Sequence, residues 1–163
     1  TTLFRSYNAF GAYIKKKKDC QGKSGCFAEK YLYINGTEWE DNINTAPHRY
    51  KIITNDGMSM AFHAYSHDCS KIQEDSDLRP ICGLVFVDIN GPNKGKNMMG
   101  DDLFAFDLTE DGIFPHGAAT DTCLHQHCMV AGLHCTKWVI ENENKEYLKC
   151  KDLSWSGKTE CNK

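Results

Sequence analysis

The sequence predicts an α+β domain: an N-terminal amphipathic helix packed on an antiparallel sheet of about four strands, closed by a disulfide-rich C-terminal lobe. Three observations predict it: apolar residues spaced by four, three and four near the start, short alternating runs separated by turn dipeptides in the middle, and a final third rich in Cys and His. At 163 residues the chain fits one domain, divided into the helix end (1–18), a loop-rich connection (19–48), the sheet (49–115) and the lobe (116–163).

Leu3, Tyr7, Phe10 and Ile14 share one helical face, which makes them the packing stripe of the opening segment. Lys15, Lys16, Lys17 and Lys18 follow directly, where cations complement the negative end of a helix dipole. A solvated helix end is preferred over a basic patch for lipid or filament partners. A helix that starts at residue 1 with no capping lead-in reads as the later part of a longer one.

Beyond Ala28 the period changes. Tyr31, Tyr33 and Trp39 flank Asn35-Gly36, a dipeptide suited to a hairpin turn. Asn35-Gly36-Thr37 also matches an N-glycosylation sequon, but the turn accounts for the same residues. Tyr50 to Thr54 and Met58 to Tyr65 form two strands joined by Asn55-Asp56-Gly57, with Met58, Met60, Phe62 and Ala64 alternating against Ser59, Ala61 and His63. Ile81 to Ile89 is a nearly continuous apolar run between Pro80 and Asn90-Gly91, the profile of a central strand. Leu103 to Leu108 alternates and closes at Thr109 to Gly112. In the lobe, Trp138 to Ile140 and Glu146 to Cys150 read as strand-like segments across a turn at 141–144.

Lys plus Arg number 19 and Asp plus Glu 22, a net charge of −3, so nothing in the balance tracks a phosphate backbone and nucleic acid is excluded as a partner. With 40% hydrophobic residues the chain folds, yet it holds no apolar run of about 18 residues, the length a membrane helix needs. Nine cysteines, Cys20, Cys26, Cys69, Cys82, Cys123, Cys128, Cys135, Cys150 and Cys161, point to an exported protein in an oxidising compartment. Four bridges leave one thiol over. Cys20 with Cys26 and Cys150 with Cys161 are the local pairs expected from proximity along the chain.

The densest polar cluster runs from Asp88 to Asp102. Asp88, Asn90, Asn93, Asp101 and Asp102 offer the hard oxygens that calcium takes, so they are the candidate metal ligands. As an EF-hand the loop fails, since counting from Asp88 puts Asn93 where the sharp-turn glycine belongs and Met99 in place of the bidentate glutamate. A turn held by Asx hydrogen bonds is the preferred reading.

Cys123-Leu124-His125-Gln126-His127-Cys128 and His134-Cys135 hold zinc-competent groups, but their spacing matches no two-knuckle framework, and cross-linking is preferred. Cys135 could be nominated as a nucleophile with any of seven histidines, and no motif singles one out. No enzyme is therefore expected, and no cofactor is required. Trp39, Trp138 and Trp155 are read as packing residues in preference to a sugar platform.

The stretch from Val87 to Gly117 resembles the globular heads of bacterial type IV pilins and type II secretion pseudopilins. In those heads a buried strand ends in Asp-x-Asn-Gly, a Pro-Asn and glycine loop follows, and Asp-x-Phe-x-Phe then leads to a Gly-x-x-Pro turn. Asp88, Asn90, Gly91, Pro92, Asn93, Asp102, Phe104, Phe106, Gly112 and Pro115 stand at the matching places. Asn55 to Phe62 is similar to the preceding hairpin, and Cys135 to Cys161 to the disulfide-closed ends of some heads.

The resemblance implies a filament subunit serving adhesion, pilus assembly or secretion. Its partners would be other pilin or pseudopilin subunits, with a host surface or a secreted substrate beyond them. Its precursor would be anchored in the inner membrane through a hydrophobic helix, of which Thr1 to Ile14 corresponds only to the later, amphipathic part. The alternatives are a secreted carbohydrate- or calcium-binding module and a small secreted hydrolase using Cys and His.

Overall fold

The turns between the alternating runs fold the middle of the chain into one antiparallel sheet. The computed structural model describes residues 13–72, 77 and 79–162. Its strands are β1 (Lys16–Gln21), β2 (Tyr50–Thr54), β3 (Ser59–Ala64), β4 (Lys71–Ile72), β5 (Pro80–Ile81), β6 (Gly83–Asp88), β7 (Leu103–Leu108) and β8 (Ile113–Pro115). Six of them form a sheet in the order β1-β2-β3-β6-β7-β8, while β4 and β5 pair as a separate ribbon between β3 and β6.

Register explains why alternation was visible on β3 and β7 but not on β6. Tyr50, Phe62, Val85 and Phe106 lie opposite one another across β2, β3, β6 and β7, and Lys51, Ala61, Phe86 and Ala105 form the neighbouring row. One face buries Tyr50, Ile52, Phe62 and Val85, with Met60, Val87, Phe106 and Leu108 around them. The other buries Ala61, Leu84, Phe86, Leu103 and Ala105 beneath Phe27, Tyr31 and Ile43 from the connection. A strand covered on both faces is apolar at every position, and β6 is the most buried of the set.

Three expectations are corrected. The sheet has six strands where about four were expected, because the short β8 and the lysine-rich β1 extend its edges. Lys16 to Lys18 are strand residues and not a last helical turn; they pair with Thr54 and Ile53, and the register shifts by a bulge between Lys16 and Lys18. Pairing with β2, together with the buried Cys20 two residues on, outweighs the helical spacing that precedes them. Of the stripe, Leu3, Tyr7 and Phe10 lie outside the described residues, while Ile14 packs against the Tyr50, Ile52, Phe62 and Val85 cluster.

The third correction concerns the lobe. Its two supposed strands are helical: α1 (Asp121–Cys123) runs into a π-helical turn at Leu124–Cys128, α2 (Met129–Ala131) and a 3-10 turn at Leu133–Cys135 follow, then α3 (Thr136–Asn142) and a last 3-10 turn at Glu146–Leu148. Thr120 caps α1 by accepting from the Cys123 amide at 3.2 Å. Gly132, at φ +100°, turns the chain between α2 and the 3-10 turn in a conformation that favours glycine. Trp138 is buried with Leu124, Tyr147 and Leu153, so a helix that presents one residue in three or four inward satisfies this core where a two-residue period would not.

The lobe is fastened to the sheet through β7. The Ala105 amide donates to Thr136 Oγ1 at 3.0 Å, and the Ala105 carbonyl accepts from the His116 amide at 3.1 Å. Four disulfides close the structure: Cys20–Cys26, Cys69–Cys82, Cys128–Cys135 and Cys150–Cys161. The first and last are the two local pairs expected. Cys123, outside these bridges, is buried and accepts from the Ala118 amide at 3.3 Å. This set of bridges belongs to an oxidising environment, extracellular or periplasmic. Among the described residues no helix is long and apolar enough to cross a membrane.

Candidate functional site

The excursion between β6 and β7 carries the five candidate ligands, and its hydrogen bonds show what each does. Asp88, the last residue of β6, is fully buried. Its Oδ2 accepts from the Tyr31 hydroxyl at 2.5 Å, and its Oδ1 accepts from the amides of Asn90 at 3.2 Å and Gly91 at 2.9 Å. This is the Asx arrangement that reverses the chain directly after a strand. Burial raises the Asp88 pKa above the ordinary carboxylate value, and the three donors act against that shift. Burial beside the Asp88 carboxylate drives the Tyr31 hydroxyl pKa upward, so it stays a donor.

At the other end of the loop, Asp102 Oδ2 accepts from the amides of Lys96 and Asn97 at 2.6 Å each, while Oδ1 accepts from Asn90 Nδ2 at 3.2 Å. Asp101 faces two cations, Lys145 Nζ at 2.5 Å and Lys96 Nζ at 3.1 Å. Against the cost of burial, these lysines hold its carboxyl below the usual range. Asn93 is exposed on the loop surface. Asp88, Asn90 and Asp102 therefore belong to one network, whereas Asp101 turns toward the lobe and Asn93 toward solvent. Gly91, at φ +83°, lies against the β2–β3 turn, where an added Cβ would fall 2.5 Å from the Gly57 carbonyl oxygen.

Among the described residues no group of three His, Cys, Asp or Glu side chains is placed to hold a metal ion. Cys135, the nominal nucleophile, is bridged to Cys128. Trp138 is buried in the lobe with Trp155 edge-on at 5.0 Å, and Trp39 packs on the sheet core 5.9 Å from Phe86.

Two clusters escaped the sequence reading. Lys51 is fully buried on β2, and its ammonium donates to the carbonyls of Ala46 at 2.7 Å, Asn44 at 2.9 Å and Gly22 at 3.3 Å, tying the connection to the sheet. Asp107 on β7 lies 2.7 Å from His116 Nδ1, both buried. Alternation places Lys51 and Asp107 at polar positions of their strands, which in a one-sided sheet would face water. Only the second covered face hides them, and no local signal announces it.

On the first face, a groove of 660 Å³ lies between β6, β7 and α3, lined by Val87, Ile89, Phe104, Phe106, Val139 and Ile140. It continues the apolar cluster on which Ile14 packs, sharing Val87 and Phe106 with it. No protein-family model, no curated protein and no solved structure matches this chain.

Proposed function

We propose that this chain is the head of a filament subunit, a pilin, minor pilin or pseudopilin, exported and assembled at the cell surface or in the periplasm. The observation that carries the reading is the apolar sheet face. Ile14, the last residue of the stripe Leu3, Tyr7, Phe10 and Ile14, lies in a bend before β1 and packs on Tyr50, Ile52, Phe62 and Val85, which supports a helix leading onto this face. The strand, loop and strand from Val87 to Leu108 support it further. The residues that resemble the pilin-head pattern fall in two paired strands, β6 and β7, and in their connecting loop, which is held by Asp88 and Asp102.

In this reading the head is a passive building block. The bridges resist unfolding outside the cell, the sheet seats the helix, and the groove beside α3 offers apolar surface to an adjoining subunit. The test is the parent gene together with the cell surface. A leader-peptidase site followed by about 20 apolar residues upstream of Thr1, and recovery of the chain in sheared filaments, are the expected results. An ordinary signal peptide, with the chain found only among soluble secreted proteins, would overturn the proposal.

A further inference from the structure

We infer that the cleft between β1, the β2–β3 turn and the β6–β7 loop binds an acidic saccharide, its carboxylate held by Lys17, Lys18 and Lys94 and its hydroxyls by Asn90 and Asn93. The cleft has a volume of 380 Å³, within the range of small-molecule pockets, about 300–1,000 Å³. Three lysines line it and, among the described residues, no Asp or Glu does. In a chain with 22 acids against 19 Lys and Arg residues, that segregation of charge is local and suits the cleft to an anion.

The backbone sets this charge in place. Successive residues of a regular strand point to opposite faces, yet Lys17 and Lys18 both line the cleft. The bulge between Lys16 and Lys18 explains it: Lys16 and Lys18 pair with Thr54 and Ile53, Lys17 is the extra residue, and a bulge re-aims side chains in this way. Lys94 comes from the loop that Asp88 holds through the amides of Asn90 and Gly91. Lys17 and Lys94 are exposed and pair with no acid among the described residues. Lys18 gives one N–H to the Gly25 carbonyl at 2.7 Å, which leaves two donors. The acids beside these segments in sequence are engaged: Asp19 with Lys16 and Tyr50, and Asp56 with the Thr54 hydroxyl.

The rest of the lining favours a hydroxylated acid over an inorganic oxyanion. Asn90 donates its Nδ2 to Asp102 Oδ1 at 3.2 Å, which fixes the amide, and its own Oδ1 has no hydrogen-bond partner. A sugar hydroxyl donates to such an acceptor, whereas sulfate offers acceptors only. Asn93 adds an exposed amide, and Ile53 and Pro92 give a short apolar wall for a sugar ring. Among the described residues no aromatic side chain lines the cleft, so it lacks the stacking platform that single-stranded nucleic acid uses. The site does not depend on the filament reading.

The experiment titrates trigalacturonate and sialyllactose into the disulfide-intact chain by calorimetry, beside their uncharged counterparts, the trigalacturonate methyl ester and lactose. Binding of at least one acid, one per chain and weakening as salt is raised, is expected, with its uncharged counterpart about tenfold weaker or worse. Lys17→Met combined with Lys94→Met should weaken the acid about tenfold or more, and Asn93→Ala about fivefold with the salt dependence kept. Lys151→Met, which removes an exposed charge from the C-terminal lobe, should leave binding unchanged. Far-UV circular dichroism checks the fold of each variant. No heat with either acid, equal binding of acid and uncharged counterpart, or a titration that the double lysine variant leaves as it was would overturn the site. So would sulfate binding as tightly as the saccharide, which would reduce the cleft to an ion site, or tighter binding to phosphatidylglycerol vesicles, which would assign the lysines to a lipid surface.

Discussion

The Tyr31 hydroxyl donates to Asp88 Oδ2 at 2.5 Å, joining the connection between β1 and β2 to the loop after the central strand β6, 57 residues away. Both groups are buried, and the Asp88 carboxylate also holds the Asn90 and Gly91 amides. One side chain thus ends β6, shapes the loop and anchors the covering segment.

Removing either partner should therefore be costly. Tyr31→Phe leaves one carboxylate oxygen short of its donor, and Asp88→Ala leaves three donors unanswered, so losses of about 1–3 and at least about 3 kcal/mol are expected by urea melts. Asp88→Asn, which keeps an acceptor for the amides, should fall between them. Because these oxygens and those of Asp102 already have protein donors, millimolar calcium should leave the melting temperature almost unchanged. A large rise would show that the ion displaces them.

His63 gives the fold an acid limit. Burial, reinforced by the nearby Arg49, His48 and Lys71 charges and only partly opposed by Asp41, pushes its pKa down to about 4 from 6.5. Its ring also meets His48 at 4.9 Å and Tyr65 at 4.8 Å. Between these two values the unfolded chain binds the proton that the folded chain refuses, so stability falls as pH drops from about 6.5 to about 4 and is unaffected by this group above that window. A loss of about 2 kcal/mol over the window is expected in urea melts at stepped pH. His63→Phe should flatten the slope, and a slope identical in the variant would assign the acid sensitivity elsewhere.

Among the described residues the lysine run lies on an edge strand of the sheet. Charged side chains and a bulge on an edge strand discourage pairing with another chain, and β1 has both. Lys15→Val with Lys17→Val should raise concentration-dependent association in sedimentation velocity without lowering the melting temperature by more than about 2 °C, since both side chains are exposed. Unchanged sedimentation would mean that the edge is protected by other means.

Thiol counting checks the covalent frame. Alkylation of the unfolded, unreduced chain should add one label, at Cys123, and the folded chain should react slowly because that thiol is buried. Two or more labels would break the four-bridge scheme.

Much of this fold was legible locally. Met58 to Tyr65 and Leu103 to Leu108 announced β3 and β7 through alternation, Ile81 to Ile89 announced β6 as a continuous apolar run, and Tyr50 to Thr54 announced β2, each beside turn residues that end a strand wherever they stand. The candidate loop was legible too, as was its Asx character. Its internal division was not, because which oxygen faces Tyr31, Lys145 or a loop amide depends on segments far away in sequence.

The sequence by itself determined the strands whose period and turns are local, and two bridges between cysteines close along the chain, Cys20–Cys26 and Cys150–Cys161, whose short loops cost little entropy to close. Tertiary structure alone decided that Lys16 to Lys18 join an edge strand, that Trp138 sits on a helix, and that Lys51, Asp107 and His116 are buried. The reason is common to all three: a local pattern reports how often a residue turns inward, but only the packed chain determines what covers it.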